Sequence, residues 1–570
     1  MSKMEGFSLW KQVESAQGLL SLPNTYASVD HPFHVARADT LWRELASGHV
    51  LRWIGQHQGG YPVEFYPLGE AWFEVAIRAL SLNSLSPEGA HTLGVIALFL
   101  LPGAAYFALA RQDKSSPSVA FLAISLQIAL PGGWYGGGYT ELVQWGLVTN
   151  VAGATASILA LPALITAITR NSPCAMALAA GLSAIALYCN PRSAIGLVAI
   201  GIGVLVASLL ERGPLQPRIA VLRLLKIAGI SGLLAAPLLM SLARFGGLYS
   251  FVHYSDYASF SDFLNASRDS VSSAVLVLGL AGLAVGLWRG RRGTRATALS
   301  AGTFILATTA VAFIPLVDAI IPQLEPTRLM PLQRYLLIYL AAGLIYTIVT
   351  GISSRRLGAG ASASAIVLVT ASILIVAFQT RPILEVILDP ASSEVPPVSL
   401  YAVAMSAQPQ QASLESAVRA ADRNAAGGTA ILVLGSVLSW HQQLWAPLWT
   451  ERLLFYDNWL WYWHLKHAGT PGYRPHVGHH YPDPEATLTR EYLDRHGIGA
   501  VVTSSALRDK ASESSFLSLV ADGTYLTYVV ENSNSIVTFD NGNTTFASAD
   551  NSGVEAHATL KSTQAAVRVN

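Results

Sequence analysis

The chain of 570 residues is 52% hydrophobic and only 12% charged. Soluble globular proteins carry about 25% charged residues, so this composition excludes an ordinary soluble protein and indicates an integral membrane protein. The 36 Lys and Arg nearly balance the 35 Asp and Glu, which leaves no basic excess to attract nucleic acid and directs the search for partners to membrane lipids.

The first predicted element is a polar segment at 28–53, SVDHPFHVARADTLWRELASGHVLRW. Asp30 precedes His31 and Pro32, which places its carboxylate where a loop meets a predicted amphipathic helix that also contains His34. We expect this helix to lie along the membrane surface, because it is too polar to cross the bilayer. A carboxylate there can act as a general base or hold a divalent metal ion, and it can equally cap the helix, so both interpretations stand at this point.

Aromatic and glycine residues typical of the lipid headgroup region follow in HQGGYPVEFYPLGEAW, residues 57–72, which contains Tyr61. The overlapping segment 66–85 predicts an interfacial amphipathic helix, because its charged side chains recur every four residues and share one helix face. These side chains are Glu70, Glu74 and Arg78. Residues 1–87 are therefore predicted to form an extracytoplasmic loop with interfacial helices.

About ten apolar runs follow, and a span takes about 20 apolar residues. The runs at 116–133 and 175–189 are short enough to be tilted or incomplete spans. Cys174 and Cys189, in or beside these runs, are predicted to be small core residues and not a disulfide or a metal pair. The predicted bundle occupies 88–379, with runs near 88–110, 116–133, 143–169, 175–189, 194–210, 220–242, 272–289, 298–320, 334–350 and 362–379.

Lys and Arg concentrate in alternate loops between these runs, and this bias predicts that those loops are cytoplasmic. Ten crossings of the plasma membrane then place both the N-terminal loop and the C-terminal region outside. An external N-terminal segment needs a preceding helix to deliver it. Residues 1–30 contain no apolar span, so either a first helix is missing from this chain or the count of spans is off by one; a missing first helix is the simpler interpretation.

Three external loops carry candidate ligand-binding residues. Consecutive glycines in the loop 130–146 allow close backbone approach to a ligand, or only a flexible turn. The loop 245–270 is long and aromatic, which is typical of a functional or a disordered segment. A late external segment holds two arginines, which can grip phosphate through several donors or merely snorkel to the interface. The candidates are Trp134, Tyr135, Tyr139 and Glu141 in the first loop, His253, Tyr254 and Asp256 in the second, and Arg328 and Arg334 in the third.

The remaining residues predict a linker and helix at 380–428, a small soluble α/β domain at 429–550 and a tail at 551–570 that is either disordered or an edge strand. Predicted strands cover 429–435 and 498–505, and an amphipathic helix between them ends at Gly497. The segments 524–532 and 533–542 are predicted to pair as a terminal hairpin. Histidines near 476–484 lack the spacing of a zinc site and are predicted to lie at a surface or an interface.

The order of four segments resembles the GT-C glycosyltransferase superfamily. They are VDHPFHVARADTLWRELASGHVLRW, GGYPVEFYPLGEAW, the glycine–aromatic loop and EPTRLMPLQRYLL. The likeness covers most of 28–350 and extends to polyprenyl-sugar-dependent transferases and to the membrane proteins named 6-pyruvoyl-tetrahydropterin synthase-related. It implies an α-helical polytopic membrane protein of about ten spans with a C-terminal extracytoplasmic α/β domain and, in this chain, a missing first helix.

The resemblance also implies an activity, the inverting transfer of a sugar from a polyprenyl-phosphate donor to an extracytoplasmic glycan, lipid or protein acceptor. Asp30 corresponds to the essential acid of the first external loop and would be the base or hold Mg or Mn, although the family's paired Asp-Asp is Asp-His here, which puts metal use in doubt. The implied supporting roles fall to His31, His34 and Glu141, phosphate binding to Arg328 and Arg334, and the sugar or acceptor pocket to Tyr61, Trp134, Tyr135, Tyr139, His253, Tyr254 and Asp256.

Two other functions compete with this one, a transporter or flippase of lipid-linked sugars and a non-catalytic envelope assembly protein. A transporter should carry charged residues at mid-membrane and internal sequence repeats. The sequence shows neither feature, and this favours the enzyme.

Overall fold

The computed structural model describes residues 30–55, 61–63, 66, 68–130, 132–133, 135–144, 146–210, 217–245, 249–251, 257–290, 292–314, 325–356, 369–370, 400–434, 443–456, 463–465, 473–476, 479–482, 487–534, 537–539, 542–549, 554–560 and 567–569. These residues form two compact units. The first comprises those within 91–240 and 253–402, and the second those within 21–90, 241–252 and 403–570.

Helices dominate the described chain, and many begin at a proline, whose fixed φ and missing N–H suit the first helical turn. The side chains of Ser116 and Ser172 cap the helices that begin at Pro117 and Pro173, because each accepts a hydrogen bond from a backbone N–H of its helix. In chain order the helices are α1 His31–Ala46, α2 Gly69–Leu80, α3 Pro87–Leu100, α4 Pro102–Gln112, α5 Pro117–Ala129, α6 Val148–Arg170, α7 Pro173–Cys189, α8 Ser193–Leu210, α9 Pro217–Leu234, α10 Ala236–Phe245, α11 Phe260–Val271, α12 Ser273–Arg289, α13 Arg292–Phe313, α14 Met330–Arg356, α15 Leu400–Asn424, α16 Arg490–Arg495 and α17 Arg508–Ser512.

The first unit is a bundle of apolar helices, as its sequence predicts. Among the described residues, 5 helices are long and apolar enough to cross a membrane, or up to 7 if each bent pair counts as one span. The bent pairs are α9 with α10, at 61°, and α11 with α12, at 98°. Two shorter apolar helices, α5 and α7, coincide with the runs expected to be short. Of the tenth predicted run, 362–379, the structure describes only 369–370.

Small residues bring the helices of this bundle close together. A Cβ placed on Gly203 of α8 would collide with the backbone of Ser300 in α13, and one on Gly282 of α12 would collide with the backbone of Leu340 in α14. Close backbone approach of this kind is how helices pack in a membrane, where lipid offers apolar contacts of its own.

The second unit contains a five-stranded sheet of order β10-β11-β9-β4-β5. Its inner strand β4 runs parallel to both neighbours, β9 and β5, and is buried along its whole length, which explains its unbroken apolar sequence. The strands of the chain are β1 Trp53–Ile54, β2 Tyr61–Pro62, β3 Tyr249–Phe251, β4 Ala430–Val433, β5 Leu454–Tyr456, β6 Trp463–Leu465, β7 Tyr473–His476, β8 His479–Pro482, β9 Ile498–Ser504, β10 Leu517–Ala521, β11 Tyr525–Val530, β12 Val537–Phe539, β13 Gly542–Ala549, β14 Val554–Leu560 and β15 Val567–Val569.

The pairing of the last strands differs from the predicted terminal hairpin. Strand β11 pairs with β9 and β10, and β12 pairs with β15. Strand β11 is buried almost throughout, so it fits inside the sheet between two partners and not in an isolated ribbon. Within the predicted tail, β14 pairs with β13. The sequence left open whether 551–570 is disordered or an edge strand, and the described residues of this segment form strands.

Helices α1 and α2 belong to the second unit and pack against each other. The charged residues Glu70, Glu74 and Arg78 lie on one face of α2, as the spacing predicts, and this face points into the protein: both glutamates are buried. Arg78 donates to Asp39 of α1 at 2.7 Å. The opposite face exposes Trp72 and Leu80. The helix is thus amphipathic with its charged side against α1 and its apolar side outward.

Candidate functional site

Asp30 stands directly before α1, whose second residue is Pro32. The Asp30 side chain makes no capping hydrogen bond, although its backbone carbonyl accepts the N–H of His34 at 3.2 Å. The sequence allowed this carboxylate either to cap the helix or to act as a base or metal ligand. The structure does not show the capping contact. The half-buried Asp30 remains the candidate base.

The two histidines next to Asp30 are fully buried. His34 Nδ1 lies 3.0 Å from Glu70 Oε1, and Arg37 donates to the same oxygen at 2.9 Å. The Arg37 guanidinium also stacks on Tyr66 and Phe33, with ring centroids 4.6 and 4.9 Å away. Burial alone raises the pKa of the Glu70 carboxyl, but Arg37 and His34 outweigh burial and hold this pKa below its usual value.

A second set of polar side chains lies in the first unit, around the glycine–aromatic loop. The loop ends in a π-helical turn, Thr140–Gln144, which places Glu141 in a fully buried position ahead of α6. Glu141 accepts the backbone N–H of Gly137 at 2.5 Å and the amide of Asn150 at 2.5 Å. Burial raises the pKa of the Glu141 carboxyl to about 7, although these two hydrogen bonds act in the opposite direction.

Gly137 shows why this loop needs glycine. Its φ is +68°, and a Cβ there would lie 2.6 Å from Cα of Pro331. Both the left-handed backbone and the close approach exclude other residues. At this position the close neighbour is the start of α14, and the approach of the loop to a ligand stays a prediction.

From Glu141, hydrogen bonds lead across the bundle. Asn150 accepts the side-chain amide of Asn190 at 2.8 Å, and Asn190 in turn accepts the backbone N–H of Arg192 at 3.0 Å. Arg192 Nη2 then lies 2.6 Å from Oε2 of the buried Glu325. The chain of contacts thus connects the glycine–aromatic loop with the segment that precedes α14.

The same carboxylate oxygen of Glu325 receives a second guanidinium, because Arg328 Nε donates to it at 3.3 Å. Arg328 also stacks over Tyr135, with its Cζ 4.6 Å from the ring centroid. Since Tyr135 and Gly137 belong to one loop, these contacts close a ring. We call it the polar ring; its members are Tyr135, Gly137, Glu141, Asn150, Asn190, Arg192, Glu325 and Arg328.

The sequence predicts that Arg334 binds phosphate beside Arg328, but the contacts of Arg334 indicate that it holds helices together. The guanidinium is fully buried. Its Nε donates to Gln127 Oε1 at 2.9 Å, and Nη2 donates to the carbonyls of Gln127 and Leu130 at 3.1 and 2.5 Å. Nη1 donates to the carbonyl of Ser270. Arg334 therefore ties α14 to the ends of α5 and α11, and phosphate binding by this residue stays a prediction.

The other predicted pocket residues are only partly described. Tyr139 is buried, and the backbone of Tyr61 in β2 pairs with that of Ile54 in β1. Trp134, His253, Tyr254 and Asp256 lie outside the described residues.

A divalent metal at Asp30 is not supported by the donors around it. Within the described ranges, no group of three or more His, Cys, Asp and Glu could hold a metal ion. His34, one of the two histidines that follow Asp30, contacts Glu70. The use of Mg or Mn thus remains a prediction.

Sequence reasoning missed Arg192 and Glu325 as functional candidates. A signal for each was present: Arg192 stands in one of the loops that are poor in Lys and Arg, and Glu325 lies three residues before Arg328. No local sequence pattern could predict the contact between Arg192 and Glu325, because 133 residues separate the two positions.

Known proteins resemble this chain in structure and not in sequence. No family model matches the sequence, and a search of curated proteins gave no match. ArnT from Cupriavidus metallidurans matches with TM-scores of 0.50 in its apo state and 0.52 bound to undecaprenyl phosphate, at 15% identity, over 91% of this chain and 97% of ArnT. The arabinofuranosyltransferase AftD from Mycobacteria matches with a TM-score of 0.55 at 14% identity, over 93% of this chain and 42% of AftD. This chain has the GT-C fold. The GT-C fold implied by the order of the sequence segments is thereby confirmed, and the chain is a multi-pass membrane protein.

Proposed function

We propose that the chain is an integral-membrane glycosyltransferase that transfers a sugar from a polyprenyl-phosphate donor to an extracytoplasmic glycan, lipid or protein acceptor. The observation that carries this proposal is the polar ring, in which two guanidinium groups stand beside a glycine–aromatic loop on a GT-C fold. An ArnT structure of similar fold is bound to undecaprenyl phosphate, which supports a lipid phosphate as the group these arginines bind.

The proposed reaction is a single displacement with inversion at the anomeric carbon. The acceptor hydroxyl oxygen bonds to the anomeric carbon as the bond from that carbon to the phosphate oxygen breaks. Asp30 takes the hydroxyl proton as general base, and polyprenyl phosphate leaves with the electron pair. The acceptor thereby gains the sugar, and no oxidant or reductant is needed.

The leaving phosphate gains negative charge during this step. Arg328 is proposed to stabilise that charge, and a positioned donor of this kind is typically worth about 2.7–4 kcal/mol of barrier. Glu141 supports the site indirectly, because its carboxylate fixes Gly137 and Asn150. Tyr135 keeps the Arg328 guanidinium in place by stacking. Both the N-terminal loop and the C-terminal domain would lie on the outer side of the plasma membrane.

The test is Asp30→Asn in the full-length protein, reconstituted in lipid nanodiscs with a panel of polyprenyl-phosphate sugars. Release of polyprenyl phosphate should fall about 10²–10⁴-fold, the usual contribution of a general base. Thermal unfolding and binding of undecaprenyl phosphate should be unchanged. Asp509→Asn, an exposed position in the same unit, is the matched control and should keep full activity.

Three results would contradict the proposal. Full turnover by Asp30→Asn would remove the assigned base. Movement of intact lipid-linked sugar across proteoliposomes by the wild type, without release of polyprenyl phosphate, would favour the transporter. A protein that does neither and only binds envelope components would be the assembly factor.

A further inference from the structure

Two buried polar atoms near the start of α14 have no hydrogen-bond partner among the described residues. They are the hydroxyl of Tyr257 and the side-chain oxygen of Gln333. We infer that these atoms hydrogen-bond hydroxyl groups of the sugar carried by the donor, so that Tyr257 and Gln333 determine which sugar is transferred. This inference rests on the proposed function, because it adds the recognition of the sugar to that reaction.

Both side chains border Met330, the first residue of α14. Tyr257 and Phe263 of α11 form one buried apolar cluster with Met330, and the two rings meet edge to face with centroids 5.3 Å apart. Gln333, one turn after Met330, donates to the hydroxyl of Ser267 in α11 at 2.9 Å. That hydroxyl in turn lies 3.9 Å from Sδ of Met330. The two residues therefore stand where α11 and the segment ahead of it meet α14.

Burial makes a missing partner costly for both atoms. Tyr257 is 8% exposed and Gln333 is 3% exposed. Buried polar groups in native proteins are nearly always hydrogen-bonded, because an unpaired one costs free energy. The tyrosine hydroxyl can donate or accept a hydrogen bond, whereas the glutamine oxygen only accepts one. A sugar hydroxyl also donates and accepts, so it can satisfy either atom.

Electrostatic contacts relate Tyr257 to the polar ring. Burial raises the pKa of the Tyr257 hydroxyl, and Glu141 and Tyr135 raise this pKa further. Tyr135 also stacks over Arg328, the group proposed to stabilise the leaving phosphate. In the donor the sugar is bonded directly to that phosphate. A side chain near Tyr135 is therefore suited to contact the sugar of the donor.

Gln333 is related to the same loop through the two helices beside it. Pro331, two residues before Gln333, is the residue that Gly137 approaches. Ser270 at the end of α11 donates to the carbonyl of Gly136 at 2.9 Å. The glycine–aromatic loop thus contacts both α14, which contains Gln333, and α11, which holds its amide.

Buried hydrogen-bonding groups discriminate between sugars more strongly than apolar contacts do. A sugar that lacks the matching hydroxyl leaves the buried atom unpaired, and a site of this type rejects such an analogue. Apolar neighbours such as Phe263 and Met330 supply shape, which by itself distinguishes similar molecules only weakly.

The experiment measures binding to the full chain in lipid nanodiscs without an acceptor. The probes are undecaprenyl phosphate and its glycosides with glucose, mannose, galactose and arabinose. The glycoside that the wild type binds most tightly is then compared with its monodeoxy analogues. We expect this glycoside to bind more tightly than undecaprenyl phosphate, and at least one monodeoxy analogue to bind about 3–10-fold more weakly than the intact glycoside, as the loss of one neutral hydrogen bond predicts.

Tyr257→Phe should bind the intact glycoside as weakly as the wild type binds one of the monodeoxy analogues, and it should no longer distinguish the two. Gln333→Met should lose the discrimination of one hydroxyl in the same way. Binding of undecaprenyl phosphate should stay unchanged in both variants. Because the Tyr257 hydroxyl has no partner within the described part of the chain, Tyr257→Phe should melt at the wild-type temperature or above it.

Tyr528→Phe is the matched control. Tyr528 of β11 is 2% exposed, and its hydroxyl likewise has no hydrogen-bond partner among the residues that the structure describes. The substitution removes the same atom from a buried position in the other unit. Tyr528→Phe should bind every probe as the wild type does.

Three results would overturn the inference and leave the glycosyltransferase standing. The first is unchanged sugar discrimination in Tyr257→Phe and Gln333→Met. The second is weaker binding of undecaprenyl phosphate itself in these variants, which would indicate a general structural role. The third is normal donor binding with slower release of polyprenyl phosphate only at low acceptor concentration, which would place the recognised hydroxyl on the acceptor.

Two further results concern the wild type. If it binds no glycoside more tightly than undecaprenyl phosphate, the sugar is not recognised and the inference is wrong. If it shows hydroxyl-selective binding that Tyr257→Phe loses, yet transfers no sugar, the sugar site is supported and the glycosyltransferase is contradicted.

Discussion

At the scale of single residues, the most consequential group outside the polar ring is Glu70. Its carboxylate is almost completely buried between His34 and Arg37, one turn and two turns beyond Asp30. Buried ion pairs contribute little net stability compared with apolar packing, yet removing one partner leaves an uncompensated charge in the interior. Glu70 therefore fixes the position of the helix that begins after the candidate base.

We predict that Glu70→Gln destabilises the second unit by about 3–5 kcal/mol, because Arg37 loses its buried counter-ion. The wild-type contribution should also depend on pH. The pKa of Glu70 in the folded protein lies below the ordinary glutamate value of 4.5, so the stabilisation is present above pH 4.5 and is lost as the pH falls through the folded-state pKa.

Thermal unfolding in detergent between pH 3 and pH 7 measures both effects. Glu451→Gln is the control, because Glu451 is 72% exposed and its contact with Arg43 should be worth less than about 1 kcal/mol. Identical unfolding curves for Glu70→Gln and Glu451→Gln would show that the buried cluster has no structural role.

At the scale of elements, the close contacts between helices depend on glycine residues. Helices α8 and α13 approach so closely at Gly203 that a Cβ would overlap the Ser300 backbone, which cannot move as a side-chain end can. The sequence shows only a glycine in an apolar run, and glycine there weakens an isolated helix by roughly 0.5–1 kcal/mol. Packing against a second helix compensates for this loss.

We predict that Gly203→Ala lowers the thermal stability of the bundle, at a cost on the order of 1–3 kcal/mol, because the added methyl group forces α8 and α13 apart. Gly229→Ala in α9 is the matched control, since nothing lies within 4 Å of a Cβ at that position. There the gain in helix propensity should make the protein slightly more stable. If both variants melt alike, the close contact is not what stabilises the helix pair.

At the scale of the molecule, the N-terminal helix and the C-terminal domain fold as parts of one unit. Helix α1 packs against the turn Gln443–Leu448, and Arg43 donates to the carbonyl of Pro447 at 3.1 Å. The backbone N–H of Leu454 in β5 donates to the carbonyl of Gly55 at 3.1 Å. Segments about 400 residues apart in sequence therefore share one interior.

We predict that Trp445→Ala destabilises both α1 and the five-stranded sheet. Trp445 is 1% exposed, and removal of a buried tryptophan costs about 3–5 kcal/mol. Hydrogen exchange followed by mass spectrometry should show faster exchange in α1 and in β4 of this variant. Leu519→Ala on strand β10, where the side chain is 43% exposed, is the control and should change neither region. Faster exchange in β4 with an unchanged α1 would mean that the two parts unfold independently.

The features that the sequence predicted correctly depend on properties of neighbouring residues along the chain. Apolar runs predict membrane helices because each residue contributes its own transfer free energy, and prolines mark helix starts because their φ is fixed. The glycine–aromatic loop, the buried strand at 429–435 and the helix that ends at Gly497 could be recognised for the same reason. The order of these segments was sufficient to indicate the GT-C fold.

Only the tertiary structure decided which distant residues meet. The sequence predicted that the segment of β11 pairs with the segment that follows it, whereas β11, buried almost throughout, pairs with β9 and β10. Arg334 and Arg328 look alike as sequence, yet backbone carbonyls surround one guanidinium, whereas the other shares Glu325 with Arg192. Electrostatic pairing depends on distance in space and not on separation along the chain, and for that reason the polar ring appears only in the folded protein.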